Sequence, residues 1–385
     1  MSLNFYRNIF VFIVAFITAC GDLQKEKKVV SSQLKPDASI RYAKRFSISS
    51  GDELTIIYLR GNRNSGDTTA VFALYKDSAA LRGLTGITYA VKVPCEKIAA
   101  LSSIYATMFC ELGMVQSIAA IDNIDYVNNP QIISKFKAGG LKELARSPQV
   151  DIEQTVALQP DIIFTFGMGD WQKDLDKKLE QTKIPVAISV DHLEESPLAR
   201  AEWIKFFAAF VDKKQLADSV FVAMEKNYFE LKEIAATTNN RPTVFNEIKF
   251  GDSWYMPGGR SFMAQLLNDA GANYLWKDDT KAGSLPLSFE QVYAKAKDAD
   301  YWINLSTLKT KKELLGFEPR YAEFNAFKKG NLYNNTKVTN DFGYSIYWET
   351  GMIYPNRILN DLILIFHPEL GQVLKSDFYY YEKLK

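Results

Sequence analysis

Two histidines, His192 and His367, and three cysteines, Cys20, Cys95 and Cys110, are all the soft metal ligands in 385 residues. No two cysteines stand at CxxC spacing and no histidines cluster, so no metal centre is expected. The chain has no GxSxG elbow and no histidine beside a potential nucleophile, so no catalytic residues are assigned. Gly167-Met168-Gly169 lacks the third glycine of a dinucleotide fingerprint and lies in mid-lobe, so no cofactor is expected either. The distinctive chemistry is aromatic. Tyr105, Tyr126, Trp171, Trp254, Tyr255, Phe342, Tyr344, Tyr347 and Trp348 fall in or beside segments that read as loops, with Ser103 and Arg260 among them. Rings with polar tips give large rigid contact area at little conformational cost, which suits a bulky, partly apolar ligand. The Arg260 guanidinium fits carboxylate, phosphate or metal-bound oxygen.

Positioning nine rings around one ligand takes more than a small module. At ~150 residues per domain the chain holds at least two domains. It carries 46 Lys and Arg against 45 Asp and Glu, a net charge of +1. No whole-molecule field is available to attract nucleic acid or an anionic bilayer. The apolar run from Ile9 to Ile17 is too short for a span of ~20 residues and has the length of a signal-peptide core. It ends in Ile17-Thr18-Ala19-Cys20, which resembles a bacterial lipobox, with Cys20 as the acylated residue. Residues 1–19 are therefore expected to be a lipoprotein signal and 20–38 a Lys-rich tether.

From Ile40 to Pro94, alternating runs (RFSISS, LTIIYLR, AVFALYK, ITYAVKV) predict strands and hairpins, a β-rich lead-in. Strands then alternate with helices: KIAAL, a helix to Leu112, SIAAI, a helix around LKELA, PDIIFTF, a helix over 173–181, and PVAISV. A second series starts at Pro242 with TVFNEI, helices over 262–270 and 289–296, DYWINL and LYNN. Such alternation predicts parallel, doubly wound sheets. The fold class is therefore α/β, with two doubly wound lobes (39–196 and 239–385) joined by helix over 197–238. That connector opens with Ser196 as N-cap and Pro197 at the first helical position. It carries two apolar stripes, one through Leu198, Ala201, Ile204, Phe207, Ala208 and Val211, the other through Trp203, Phe206 and Phe210. Two stripes predict a stiff helix laid across both lobes, with modest closure between them.

IAALSS followed by ELG, VDIEQTVALQPDIIF, SPLARAEWIKFF, WYMPGGRSFMAQLLNDAGANYLW and LSFEQVYAKAKDADYWI together resemble the helical-linker class of solute-binding proteins that serve ABC importers for iron-siderophore, haem or cobalamin complexes. SPLARAEWIKFF, WYMPGGRS and IFHPEL look most like the lipoprotein branch of Bacteroidota-type bacteria. The resemblance covers about Val93 to Leu370. It implies a non-enzymatic, monomeric carrier in the cell envelope, lipid-anchored and facing the periplasm, with the outer membrane as an alternative home. Its partners would be a permease, an ATPase and a metal-chelate or corrinoid cargo, and the membrane would be met only through the anchor. The resemblance also implies one docking carboxylate per lobe. Asp269 is the second-lobe candidate, whereas the first lobe has Thr107 where relatives carry an acid and Glu111 one turn on. Pairing of Cys95 with Cys110 is left open. A chelatase-like enzyme or siderophore esterase on this scaffold, and a carrier tied to an outer-membrane receptor, are the alternatives.

Overall fold

The computed structural model describes residues 34–61, 68–144 and 150–385. The signal segment, Cys20 and most of the tether lie outside the described residues. All four lead-in runs form strands, Phe46–Ser50, Leu54–Arg60, Thr68–Tyr75 and Tyr89–Lys92. With Lys35–Pro36 they make one five-stranded sheet, antiparallel except for its last pair. The first parallel sheet takes the order Val186–Ser189, Ile162–Phe166, Ile98–Ala100, Ile118–Ile121, Lys142–Glu143. The second places Asn273–Tyr274, Thr243–Asn246, Tyr301–Ile303 and Leu332–Asn334 in parallel, closed by antiparallel Glu382–Lys383. A small antiparallel sheet, Lys249–Phe250, Ser253–Pro257 and Ser284–Leu287, sits beside it.

The segment expected as one rod is not one. Ser196 does cap it, accepting from the Ala199 N–H at 3.1 Å with Pro197 at the first position. Short helices Pro197–Ala201 and Trp203–Ala209 follow, the chain turns through Asp212 at φ +53°, and Lys214–Ala236 forms the long helix. Every residue of both stripes is buried: Leu198 and Ala201 lie on a helix that packs on Phe262–Asp269 and Pro355–Phe366 of the second lobe, whereas the rings from Trp203 onward lie between two sheets of the first lobe. Phe46 of the lead-in sheet meets Trp203 and Phe206 at 5.1 and 5.6 Å, and Phe72 meets Phe210 at 5.7 Å. On the other side Phe207 packs on Tyr105, Phe109 and Phe164. The stretch 203–211 is thus the middle layer of a sheet–helix–sheet sandwich. Lobe crossing is shared with Lys214–Ala236, which buries one stripe (Ala217, Phe221, Met224, Tyr228, Leu231, Ala235) and packs on helix Pro355–Phe366 of the second lobe and on Trp203–Ala209.

Two buried carboxylates fasten the lead-in to that middle layer. Glu202, wholly buried, accepts the backbone N–H groups of Arg41, Tyr42 and Ala43 at 2.7–2.9 Å. Glu194 accepts those of Lys44 and Arg45 at 3.0–3.2 Å and the Trp203 indole N–H at 3.2 Å. Five consecutive residues of chain find their acceptors on Glu194, in the turn ahead of the Ser196 cap, and on Glu202, between the two short helices.

The helix expected around LKELA is instead Pro130–Lys137, capped by Asn129, and Lys142–Glu143 is an edge strand. Gly139 at φ +75° stops the helix, and the chain after it pairs alongside Ala120–Ile121. Among the described residues, no helix is long and apolar enough to cross a membrane.

Candidate functional site

The loops that follow the parallel strands bring the lobes together. At one end of the junction, Tyr126 of the first lobe meets Tyr344 of the second edge to face at 4.5 Å. Beside them the Asn340 amide donates to the carbonyls of Asp125 and Val127 at 2.8 and 3.3 Å. The buried Glu349 carboxylate accepts the Asn128 N–H at 2.8 Å, and the Tyr354 hydroxyl donates to Glu111 at 2.5 Å. In the middle, Asp191 gathers the Ser189 hydroxyl at 2.8 Å, the Tyr105 hydroxyl at 3.4 Å and Arg200 Nε at 3.1 Å, while the Arg200 guanidinium lies 4.6 Å over the Phe262 ring. Arg260 pairs with Glu195 at 3.1 Å, tying the second lobe to the loop after the last first-lobe strand. A crevice lined by Arg200, Phe262, Tyr347, Trp348 and Met352 runs along this seam. It encloses about 20 Å³, room for roughly one water.

Of the expected ligand residues, Tyr126, Tyr255, Phe342 and Trp348 expose their rings, Trp348 to 52%, and Arg260 is exposed beside Glu195. Tyr344, read at the sequence level as a loop ring though not as a ligand residue, is exposed as well. Ser103 is the first residue of helix Ser103–Glu111, behind the Ser102 cap. Tyr347 is buried but lines the crevice and meets Trp348 at 4.9 Å. Three residues need correction. Trp254 has no exposed surface; its indole donates to the Asn246 carbonyl at 2.9 Å and its ring packs among Phe245, Trp302 and Tyr321. The segment is a strand of the small sheet and not a rim loop, so alternate residues point inward. Tyr105 is core beneath Asp191. Trp171 packs on Tyr89 of the lead-in sheet, because loop 167–171 closes onto that sheet: a Cβ on Gly61 would meet the Gly169 carbonyl oxygen at 2.3 Å.

Sequence reasoning missed Phe166 and Met168, which end the Ile162–Phe166 strand with most of their surface exposed, Phe166 over His192 at 4.5 Å. Their position at a strand's carboxyl end was the available signal. Cys95 and Cys110 are free thiols, each pushed up to about 12 by burial. No group of three or more His, Cys, Asp or Glu suited to a metal occurs among the described residues.

Asp269, the docking candidate, is also corrected. It is buried and accepts from Tyr228 Oη at 2.8 Å, Lys232 Nζ at 2.9 Å and Gln265 Nε2 at 2.9 Å, bracing helix Phe262–Asp269 against the long helix. Asp269→Ala is expected to cost roughly 1–3 kcal/mol in urea unfolding, because it strands the buried Tyr228 phenol. A loss under about 0.5 kcal/mol would contradict the brace.

Burial pushes the carboxyls of Glu349 up to about 7 and of Glu247 up to about 8. A raised acid holds its proton more tightly when folded, so its stabilisation is complete below the unfolded value (~4.3) and is lost as pH rises through the folded one. Buried His192 and His367 are depressed, act in the opposite sense and finish titrating below about 6.5. The unfolding free energy is therefore expected to fall between about pH 6.5 and 8.5, and Glu247→Gln to flatten that fall; thermal melts across the window check both.

The sequence matches the periplasmic binding protein family over residues 98–338, and the chain belongs to that family. The match begins with the first strand of the first parallel sheet, so the lead-in sheet stands outside it. Among relatives, two uncharacterised lipoproteins of Methanocaldococcus jannaschii are 27% and 29% identical over 63% and 67% of the chain. The aligned parts span 56% and 65% of those proteins' own lengths. Solved structures with the same fold include a periplasmic haem-binding protein from Pseudomonas aeruginosa, 17% identical, TM-score 0.55, covering 71% of this chain and 93% of its own. Another is the periplasmic vitamin B12-binding protein of Vibrio cholerae, 13% identical, TM-score 0.51, covering 74% of this chain and 99% of its own.

Proposed function

We propose that this protein is the lipid-anchored binding component of an ABC importer, held at the cell envelope by acylated Cys20 and facing the periplasm. It takes an iron-siderophore, haem or cobalamin complex between its lobes and delivers it to the permease and its ATPase. The observation that carries this reading is the ring-to-ring meeting of Tyr126 and Tyr344 across the lobe junction, with Phe342, Trp348, Phe166 and Met168 also exposed on strand-end loops of the two lobes. Exposed rings at the carboxyl ends of both parallel sheets suit a bulky, partly apolar cargo better than a sugar. The lipoprotein relatives support the anchor. The fold alone does not choose among the three cargoes.

Trp348 is a natural reporter because its indole is half exposed at the crevice. Titration of intrinsic fluorescence with ferric siderophores, haemin and cyanocobalamin is expected to quench with one of them at micromolar concentration, and Trp348→Phe to remove most of the change. No response to any of the three would overturn the proposal.

A further inference from the structure

The second lobe carries a carboxyl, Glu247, to which no binding role has yet been given. Glu247 directly follows strand Thr243–Asn246, flanked on both sides in the second sheet, at the carboxyl edge where α/β sheets present their ligands. Its backbone is left-handed at φ +65°, a region costly for a residue with a side chain. Two contacts hold it there: its N–H donates to the Ile303 carbonyl at 3.0 Å, and its carbonyl accepts the Trp302 indole N–H at 2.7 Å. On the neighbouring strand's end Asn304 and Ser306 are left-handed as well, at φ +60° and +57°. Strain of this kind persists only where the surroundings enforce it, and here it gathers at one edge.

The side chain is as unusual as the backbone. It is partly exposed, and its carboxyl has no hydrogen-bond or ion-pair partner among the described residues. Asn246 beside it is wholly buried with both amide atoms unbonded. Burial and then the Glu247 charge raise the Tyr274 hydroxyl, and the same charge reaches Tyr347, which is raised chiefly by burial and lines the crevice with Arg200 and Trp348. Tyr381, also within reach of that charge, is raised too. None of these phenols titrates near neutral pH, and Arg200 is already committed to Asp191. The same sheet edge reaches the crevice through side chains, because Asn304 Oδ1 accepts from Tyr381 Oη at 2.7 Å and the Tyr381 ring meets Tyr347 of the crevice lining at 5.9 Å. A carboxyl on that edge without a protein donor is complementary to a donor that arrives from outside.

We propose that Glu247 determines specificity by pairing with a cationic nitrogen on the cargo, so that the preferred chelate carries an ammonium or guanidinium group rather than rim carboxylates. This rests on the cleft being the cargo site. The step is a proton exchange with the buffer: the neutral acid gives up its proton, the carboxylate accepts N–H bonds from the cation, and nothing else changes. A cargo edged with carboxylates finds no counter-charge here.

The test uses a ferric trihydroxamate with one free ammonium and the same chelate N-acetylated. Both are titrated by calorimetry at pH 7 in two buffers of different ionisation enthalpy. The ammonium form is expected to bind about tenfold tighter or better, with close to one proton released. Glu247→Gln should erase both the preference and the proton release while leaving the acetylated chelate unaffected. Equal affinities, or a preference that survives in Glu247→Gln, would overturn the inference. Binding of haemin or cyanocobalamin but of neither hydroxamate would overturn it too and leave the cleft reading standing; binding of none removes both.

Discussion

Glu202→Ala is expected to lower the unfolding free energy by roughly 3–5 kcal/mol. The carboxylate is wholly buried and is the acceptor for three successive backbone N–H groups, those of Arg41, Tyr42 and Ala43. Truncation leaves those donors without a partner, at about 1–3 kcal/mol for each buried group left unsatisfied. It also takes from Lys205, itself buried, the carboxylate at 3.2 Å and leaves the Ser39 carbonyl at 2.6 Å and Asp218 at 3.5 Å. The damage should be local in kind. Limited proteolysis is expected to cut between the lead-in strands while the two parallel sheets resist, and urea unfolding should show an early phase. Glu202→Gln keeps one acceptor and should cost less. A single transition with a loss below about 1 kcal/mol would mean that the lead-in is held by its apolar face alone.

Phe206→Ala comes next, again at roughly 3–5 kcal/mol. Its ring stands at the centre of the sandwich and touches Phe46 of one sheet and Phe164 of the other, as well as Trp203, Phe207 and Phe210. The cavity would open between layers that cannot both move inward, so the cost should lie at the high end, and Phe206→Leu should recover more than half. Phe229→Ala, on the exposed flank of the long helix, is the control and should stay within about 0.5 kcal/mol. Comparable losses for Phe206→Ala and Phe229→Ala would contradict the layering.

The elements were legible where pattern and period agree. TVFN, YWI, IIFTF and VAIS are short apolar runs bounded by turn residues, and each is a strand of a parallel sheet. The four alternating runs before Pro94 are all strands for the same reason. The connector was misjudged because periodicity states that a helix is covered on two sides without naming what covers it. Trp203 and Phe206 would look the same facing a second lobe as they do facing the lead-in sheet. The small sheet holding Trp254 was missed because Pro257-Gly258-Gly259 reads as a turn, and the strand ahead of it was absorbed into that turn. Of the site, the rings in loops were visible, since an aromatic beside Gly, Asn and Asp is seldom core; Tyr126 and Phe342 follow that rule. Tyr105 and Asp269 do not, because each sits on a helix face whose neighbour, Asp191 or Tyr228, is far away in sequence. Glu247 carried no local signal, since its strain and isolation exist only once the strands are aligned.

The middle layer ties together two parts of the chain, one inside the family match and one ahead of it. The family pattern starts at residue 98, yet Trp203, Phe206 and Phe210 inside it are faced by strands that precede it. A shorter ancestor bearing these three rings would have shown a sticky flank to water. An excision that starts the chain near Val93 is therefore expected to leave an aggregating remnant instead of a smaller folded unit.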